Sequence, residues 1–253
     1  MKKTENSKKY KFDDFTIQHY KELIYASKQN HLFSFYHDFD EDRPCVFWRH
    51  DIDFSPQRAL RLAKIENDIQ VKSTYFIHLN SEFYNVLENS ITKIIRQIIN
   101  LGHEIGVHFD VKYHRISNEE SIETKLYFDK KILEDIFDIK IKSFSFHNTN
   151  AFTLNCKKTQ YGGLINVYSD FFIKQMKYCS DSNGYWRYER MMNVIKESQS
   201  EHLHLLTHPE WWTEDVMSPW EKIQRCCHGR ADANLRYYQE LLKSLNNKNI
   251  DWE

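Results

Sequence analysis

The chain has 253 residues, 41% of them hydrophobic and 15% aromatic, with only 6 Gly and 4 Pro. That suits one large α/β domain or two small ones and excludes a linker or disordered protein. Lys and Arg number 35 against 36 Asp and Glu, so the net charge of -1 gives no reason to expect a nucleic-acid partner.

The chain opens on the Lys-rich MKKTENSKKYK, with no apolar h-region of a signal peptide after it. No stretch approaches the ~20 apolar residues of a membrane-spanning helix. The five cysteines (Cys45, Cys156, Cys179, Cys226, Cys227) are odd in number and lack framework spacing. They read as reduced thiols, and the expected compartment is the cytoplasm. Cys226-Cys227-His228 lacks C-x-x-C spacing and reads as structural.

Residues 16–29 read as an amphipathic helix. CVFWRH (45–50) reads as a buried strand. A helix follows, with Ser55 as N-cap, Pro56 at its first position, and Ala59, Leu60, Leu62, Ala63 and Ile65 inward. VKSTYFIHL (71–79) is a strand by its β-branched and aromatic content. A helix over 84–100 buries Ile94, Ile95, Ile98 and Ile99 and stops at Gly102. HEIGVHF (103–109) is the next strand. Ser117 and Glu120 form a capping-box pattern before a helix to about Phe137. IKSFSFHN (141–148) and HLHLLTHP (202–209) read as later strands, and a long helix covers 219–246 with a break expected near Gly229.

Strand and helix alternating imply a parallel sheet with crossover helices, whose chemistry sits at the strands' C-terminal ends. Costly side chains fall there four times: Asp51/Asp53, His108/Asp110, His147 and His208. Asp51 and Asp53, two apart in extended chain, share a side, where a cation or basic partners would relieve their repulsion. The bland alternative is a capping or salt-bridged pair with Arg49 as partner. His108 and His147 each end an apolar strand and suit a divalent metal, whereas His103 and Glu104, at a strand's start, read as structural. Trp211 and Trp212 offer either an apolar wall for a sugar ring or a cover for the core. In the polar turn YCSDSNGYWR (178–187), Asp181 is placed to orient a catalytic side chain, with Arg187 as its partner. The same composition also suits a plain turn.

In this order the segments resemble the polysaccharide deacetylase superfamily, carbohydrate esterase family four, from about Cys45 to Trp212. RHDID resembles its first motif, a pair of Asp, here with Ile52 inserted. GHEIGVHF resembles its second motif, and LLTH its late L-x-x-H motif. RHDID with LTHPEWW looks most like a branch found among bacterial surface-glycan assembly proteins. The resemblance implies one distorted, seven-stranded parallel (β/α) barrel over residues 1–253, with an N-terminal helical extension over 1–40. It implies a metal-dependent hydrolase that removes an acetyl group. Asp51 is the expected base, Asp53 and His108 metal ligands, and His208 the acid. Asp181 is expected to tune His208 or Arg187, and Trp211, Trp212 and Arg187 to meet the sugar.

The chain departs from the pattern at Lys112, where the family's second metal His normally stands. His147 is the preferred third ligand, because a strand end is rigid, with His114 as the alternative. The D-x-D spacing leaves open which Asp is base and which is ligand. The family's Arg-containing third motif is not evident. The expected cofactor is a divalent metal, Zn²⁺ first. The expected partner is an N-acetylated sugar, a nucleotide sugar or a lipid-linked glycan. Another small-molecule amide and a non-catalytic glycan-binding role are the alternatives.

Overall fold

The computed structural model describes residues 5–199 and 201–251, so the first four residues of the Lys-rich start lie outside it. The elements run α1 (Glu5–Lys9), α2 (Ile17–Lys28), β1 (Leu32–Phe33), β2 (Cys45–Ile52), α3 (Pro56–Asp68), β3 (Thr74–Ile77), α4 (Asn89–Asn100) and β4 (Glu104–Phe109). They continue α5 (Glu119–Phe137), β5 (Ser143–Phe146), α6 (Ala151–Asn155), β6 (Gln160–Tyr161), β7 (Leu164–Asn166), α7 (Asp170–Gln175) and β8 (Met176–Ser180). Last come α8 (Met191–Glu197), β9 (His202–Thr207) and α9 (Pro219–Ser244).

Seven strands lie parallel in the order β7-β5-β4-β3-β2-β9-β8, with β6 antiparallel at one edge and β1 parallel to the start of β2. The sheet is strongly curled. Arg49 on β2 donates to the Tyr168 hydroxyl just past β7 at 2.7 Å. Those strands are four steps apart along the sheet, ~19 Å if it were flat. Among the described residues no ladder joins β7 to β8, so the expected distorted barrel is an incomplete one.

All eight residues of β2 are buried, because its inner face looks into the barrel and its outer face is covered by helices. Outside, Val46 and Trp48 pack with Tyr20, Leu23 and Ile24 of α2. Each fully buried side chain of this size contributes ~1.5–3 kcal/mol. Helix α2 is therefore a working wall of the domain rather than an appendage. Inside, the lower barrel is aromatic, with Tyr36 stacked on Phe47 at 4.8 Å and edge-on to Phe172 at 5.3 Å. Gly106 faces the Phe76 ring so closely that a Cβ there would lie 2.4 Å from it. The missing side chain is what lets that ring fill the interior.

Ser55 caps α3 as expected, accepting from the Arg58 N–H, and Pro56 opens the helix. Asn118, not Ser117, caps α5: its side chain accepts from the Ser121 N–H. Helix α9 runs unbroken through Gly229, where an added Cβ would meet nothing within 4 Å. Residues 178–180 of the expected polar turn belong to β8, which flanks β9 in register.

Candidate active site

Parallel register sorts the inward side chains into layers. Asp51 is level with Phe76, which is level with Gly106. The next inward layer follows from the pleat: Asp53 beside His78, then His108, which pairs in register with Ser145. Ile52, between the two Asp, points outward and is fully buried against the helices. The D-x-D spacing thus separates the carboxylates by one layer, giving them different neighbours.

Asp51, in the lower layer, accepts from Arg49 Nη2 at 3.0 Å and from Ser145 Oγ at 3.3 Å. Its pairing with Arg49 is the salt bridge that the bland reading anticipated. Ser145 Oγ is also 2.7 Å from His108 Nδ1. Since the serine proton goes to the carboxylate, Ser145 accepts from His108 Nδ1–H. A neutral His108 then turns a bare Nε2 lone pair upward.

That lone pair meets Asp53 and His147. His108 Nε2 is 3.1 Å from Asp53 Oδ1 and 3.1 Å from His147 Nδ1, and the third side, Asp53 Oδ1 to His147 Nδ1, is 3.4 Å. Ligand atoms on one tetrahedral Zn²⁺, bonded at ~2.0–2.1 Å, stand ~3.3 Å apart. Asp53 Oδ1 is moreover buried without a hydrogen-bond partner. The donors fit a divalent ion in type, spacing and satisfaction. Without one, the proton holding them together is on His147 Nδ1, whose Nε2 accepts from Asn148 Nδ2 at 2.7 Å. Burial would raise the Asp53 carboxyl, but the histidines around it hold it well below the usual range. Burial lowers His147, and Asp53 more than compensates, leaving it raised.

His208 comes in from β9 on the other side, Nε2 4.0 Å from Asp53 Oδ2. Its Nδ1 is 2.6 Å from Asp181 Oδ1, and its backbone N–H donates to Asp181 Oδ2 at 2.8 Å. Burial pulls His208 down, but fully buried Asp181 outweighs it and pushes it up to about 10. Such an imidazolium keeps its proton at neutral pH and can deliver it.

Asp51, Asp53, His108 and His208 line one cavity of about 340 Å³ with Phe54 and Tyr168, and Trp211 and Arg187 stand in the same wall. Trp212 does not. It is fully buried among Phe15, Tyr20 and Trp186, and its indole N–H donates to Asp181 at 3.0 Å. Its expected place as a sugar wall is corrected: it holds Asp181, the partner of His208. Arg187 is exposed, and Asp181 is taken by His208 and Trp212 rather than by Arg187. His114 lies outside the triangle, bonded to Asp129 at 2.9 Å and stacked on Phe109, and Lys112 is exposed in a neighbouring cavity.

Besides Ser145, sequence reasoning passed over His78 and Glu210 here. His78 ends the apolar run TYFI at the tip of β3, the same signal that singled out His108 and His147. Glu210 is 1% exposed, and neither carboxyl oxygen has a hydrogen-bond partner. It stands in the cavity wall, where burial pushes its carboxyl well above the usual carboxylate range despite His208 nearby.

No family model matches the chain, and no curated protein matches it. Solved structures of family 4 carbohydrate esterases do match. An acetyl xylan esterase from Clostridium thermocellum is 12% identical over 75% of this chain and 84% of its own, with a TM-score of 0.41. A variant of the peptidoglycan deacetylase PdaC from Bacillus subtilis is 12% identical over 82% of this chain and 98% of its own, with a TM-score of 0.45. A pseudoenzyme of the same family from Bacillus anthracis is 13% identical over 77% of this chain and 63% of its own, with a TM-score of 0.42.

Proposed function

We propose that this chain is a metal-dependent hydrolase that removes the acetyl group from an N-acetylated sugar or glycan intermediate. The observation that carries the reading is the opposition, across 4.0 Å, of a metal-shaped Asp53–His108–His147 triangle and a proton-holding His208–Asp181 pair. Acyl hydrolysis needs both an electrophilic side and an acid side at one carbonyl.

A divalent ion held by Asp53, His108 and His147, Zn²⁺ in our assignment, would supply Lewis acidity and make water more acidic, toward a pKa of about 7. Asp51 takes the proton of the attacking water as general base, its carboxylate aimed by Arg49 and Ser145. The water oxygen bonds to the acetyl carbon. His208 then gives its Nε2 proton to the amide nitrogen, the C–N bond breaks, and acetate and a free amine leave. Asp181 holds His208 in the tautomer that points Nε2 at the cleft. Trp211 and Phe54 flank the cavity with aromatic faces that suit a sugar ring.

One observation favours a non-catalytic glycan binder instead: both oxygens of Asp51 are already engaged, as in a purely structural ion pair. Asp51→Asn separates the two. In the enzyme it cuts acetate release from N-acetylhexosamine substrates by ~10²–10⁴-fold while the metal stays bound. In a binder it leaves glycan affinity unchanged, and wild type releases no acetate.

A further inference from the structure

Among the polar atoms at this site that are buried without a hydrogen-bond partner are Asp53 Oδ1 and His78 Nε2. The triangle accounts for the first and leaves the second unexplained. His78 is 5% exposed and rigidly placed: its backbone N–H donates to the Tyr84 hydroxyl at 2.9 Å, which in turn donates to the Ile52 carbonyl at 2.9 Å. The acid nearest its Nε2 is Asp110, at 3.6 Å, beyond hydrogen-bond distance. A buried imidazole nitrogen with nothing to bond is costly unless something absent from the protein atoms satisfies it.

Its surroundings say what that is. Ligand atoms of Asp53, His78 and His147 all lie within 4.8 Å of one another. The ring centroids are 4.1 Å apart for His78 and His147, 5.0 Å for His108 and His147, and 5.6 Å for His78 and His108. An imidazole bonded at ~2.0–2.1 Å has its centroid roughly 3.2 Å from the ion, so two such rings at tetrahedral angles stand about 5 Å apart. The three separations bracket that value.

We propose that His78 is a ligand of the ion, joining Asp53, His108 and His147 in a three-histidine, one-carboxylate set. The proposal rests on the reading that this cleft holds a divalent ion, and it adds a ligand from β3. Four protein ligands would fill a tetrahedral shell, so a bound water would need a fifth position.

The test uses Co²⁺ alone, added to the metal-free full chain of wild type, His78→Ala and His78→Cys, with no substrate. His78→Ala weakens Co²⁺ binding by at least ~100-fold, above the span typical of losing a mere outer partner. In His78→Cys a thiolate-to-cobalt charge-transfer band appears in the near ultraviolet, over a wild-type baseline that already contains the five native thiols. Far-UV circular dichroism checks folding, and should the Cys variant not fold, the visible cobalt bands of His78→Asn report the lost ligand. Wild-type affinity in His78→Ala with no new band in His78→Cys would overturn the proposal and leave the ion's site standing. A wild type that binds no Co²⁺ would overturn both.

Discussion

His108 Nε2 and Asp53 Oδ1 stand 3.1 Å apart, turned toward the same buried point, and neither brings a proton. Two bare acceptors at that distance repel unless a cation or a shared proton lies between them. His147 Nδ1, 3.1 Å and 3.4 Å from the same two atoms, supplies the proton.

Metal binding at His147 Nδ1 should therefore move that proton to Nε2, and should expel one wherever the ring is an imidazolium. Titration calorimetry of Zn²⁺ in buffers of differing ionisation enthalpy should report a proton release per ion that grows as pH falls. Affinity should fall as pH falls, because the Asp53 carboxylate raises His147 and so favours the protonated competitor. Proton release that does not grow as pH falls would show that His147 is not a ligand.

Asp181→Asn should reduce kcat by ~10²–10⁴-fold, the span of one general-acid contribution. The acid form of His208 is the working one, so activity falls as pH rises through its pKa. Asp181 is what lifts that pKa, to about 10, against burial. In the variant the alkaline limb of the pH–rate profile should move to lower pH. A limb that stays in place would remove Asp181 from this role.

Gly106→Ala should destabilise the fold by about 1–3 kcal/mol, measured by urea denaturation. The added Cβ would meet the Phe76 ring at 2.4 Å and the Ser143 carbonyl oxygen at 2.9 Å, and neither can swing away from the packed interior.

Glu66 predicts the acid limb of stability. It is fully buried behind the cleft and accepts from Tyr20 and, at 2.7 Å, from Tyr75, with His50 Nε2 at 2.6 Å. Burial would raise its carboxyl, but His50, His103 and Tyr20 together hold it down at about 2 against an ordinary 4.5. Between those values the unfolded chain binds the proton and the folded chain does not. Its contribution is thus present above pH 4.5 and lost as pH falls toward about 2. In Glu66→Gln the slope of stability against pH over that window should flatten.

Much of the site was legible because strand ends advertise it: Asp51, Asp53, His108, His147 and His208 each follow a buried apolar run. His78 carries the same mark and went unread, since TYFIHLN ends in an apolar Leu79 that makes the His look internal. Ser145 was hidden because its importance lies in register across strands, which no local pattern displays, whereas Arg49, two residues before Asp51 on the same strand, was read as a salt-bridge partner. Strands β7 and β8 are too short, at three and five residues, for alternation to stand out. The adjacent tryptophans look alike in sequence, but one lines the cavity and the other is core, because the short turn Pro209–Trp211 rotates them apart.

The most direct test is the metal content of purified wild type and His108→Ala, measured side by side by mass spectrometry after Zn²⁺ is added back and excess removed. About one equivalent in wild type and near none in the variant is the expected result. No bound metal in either protein would contradict the account at its centre.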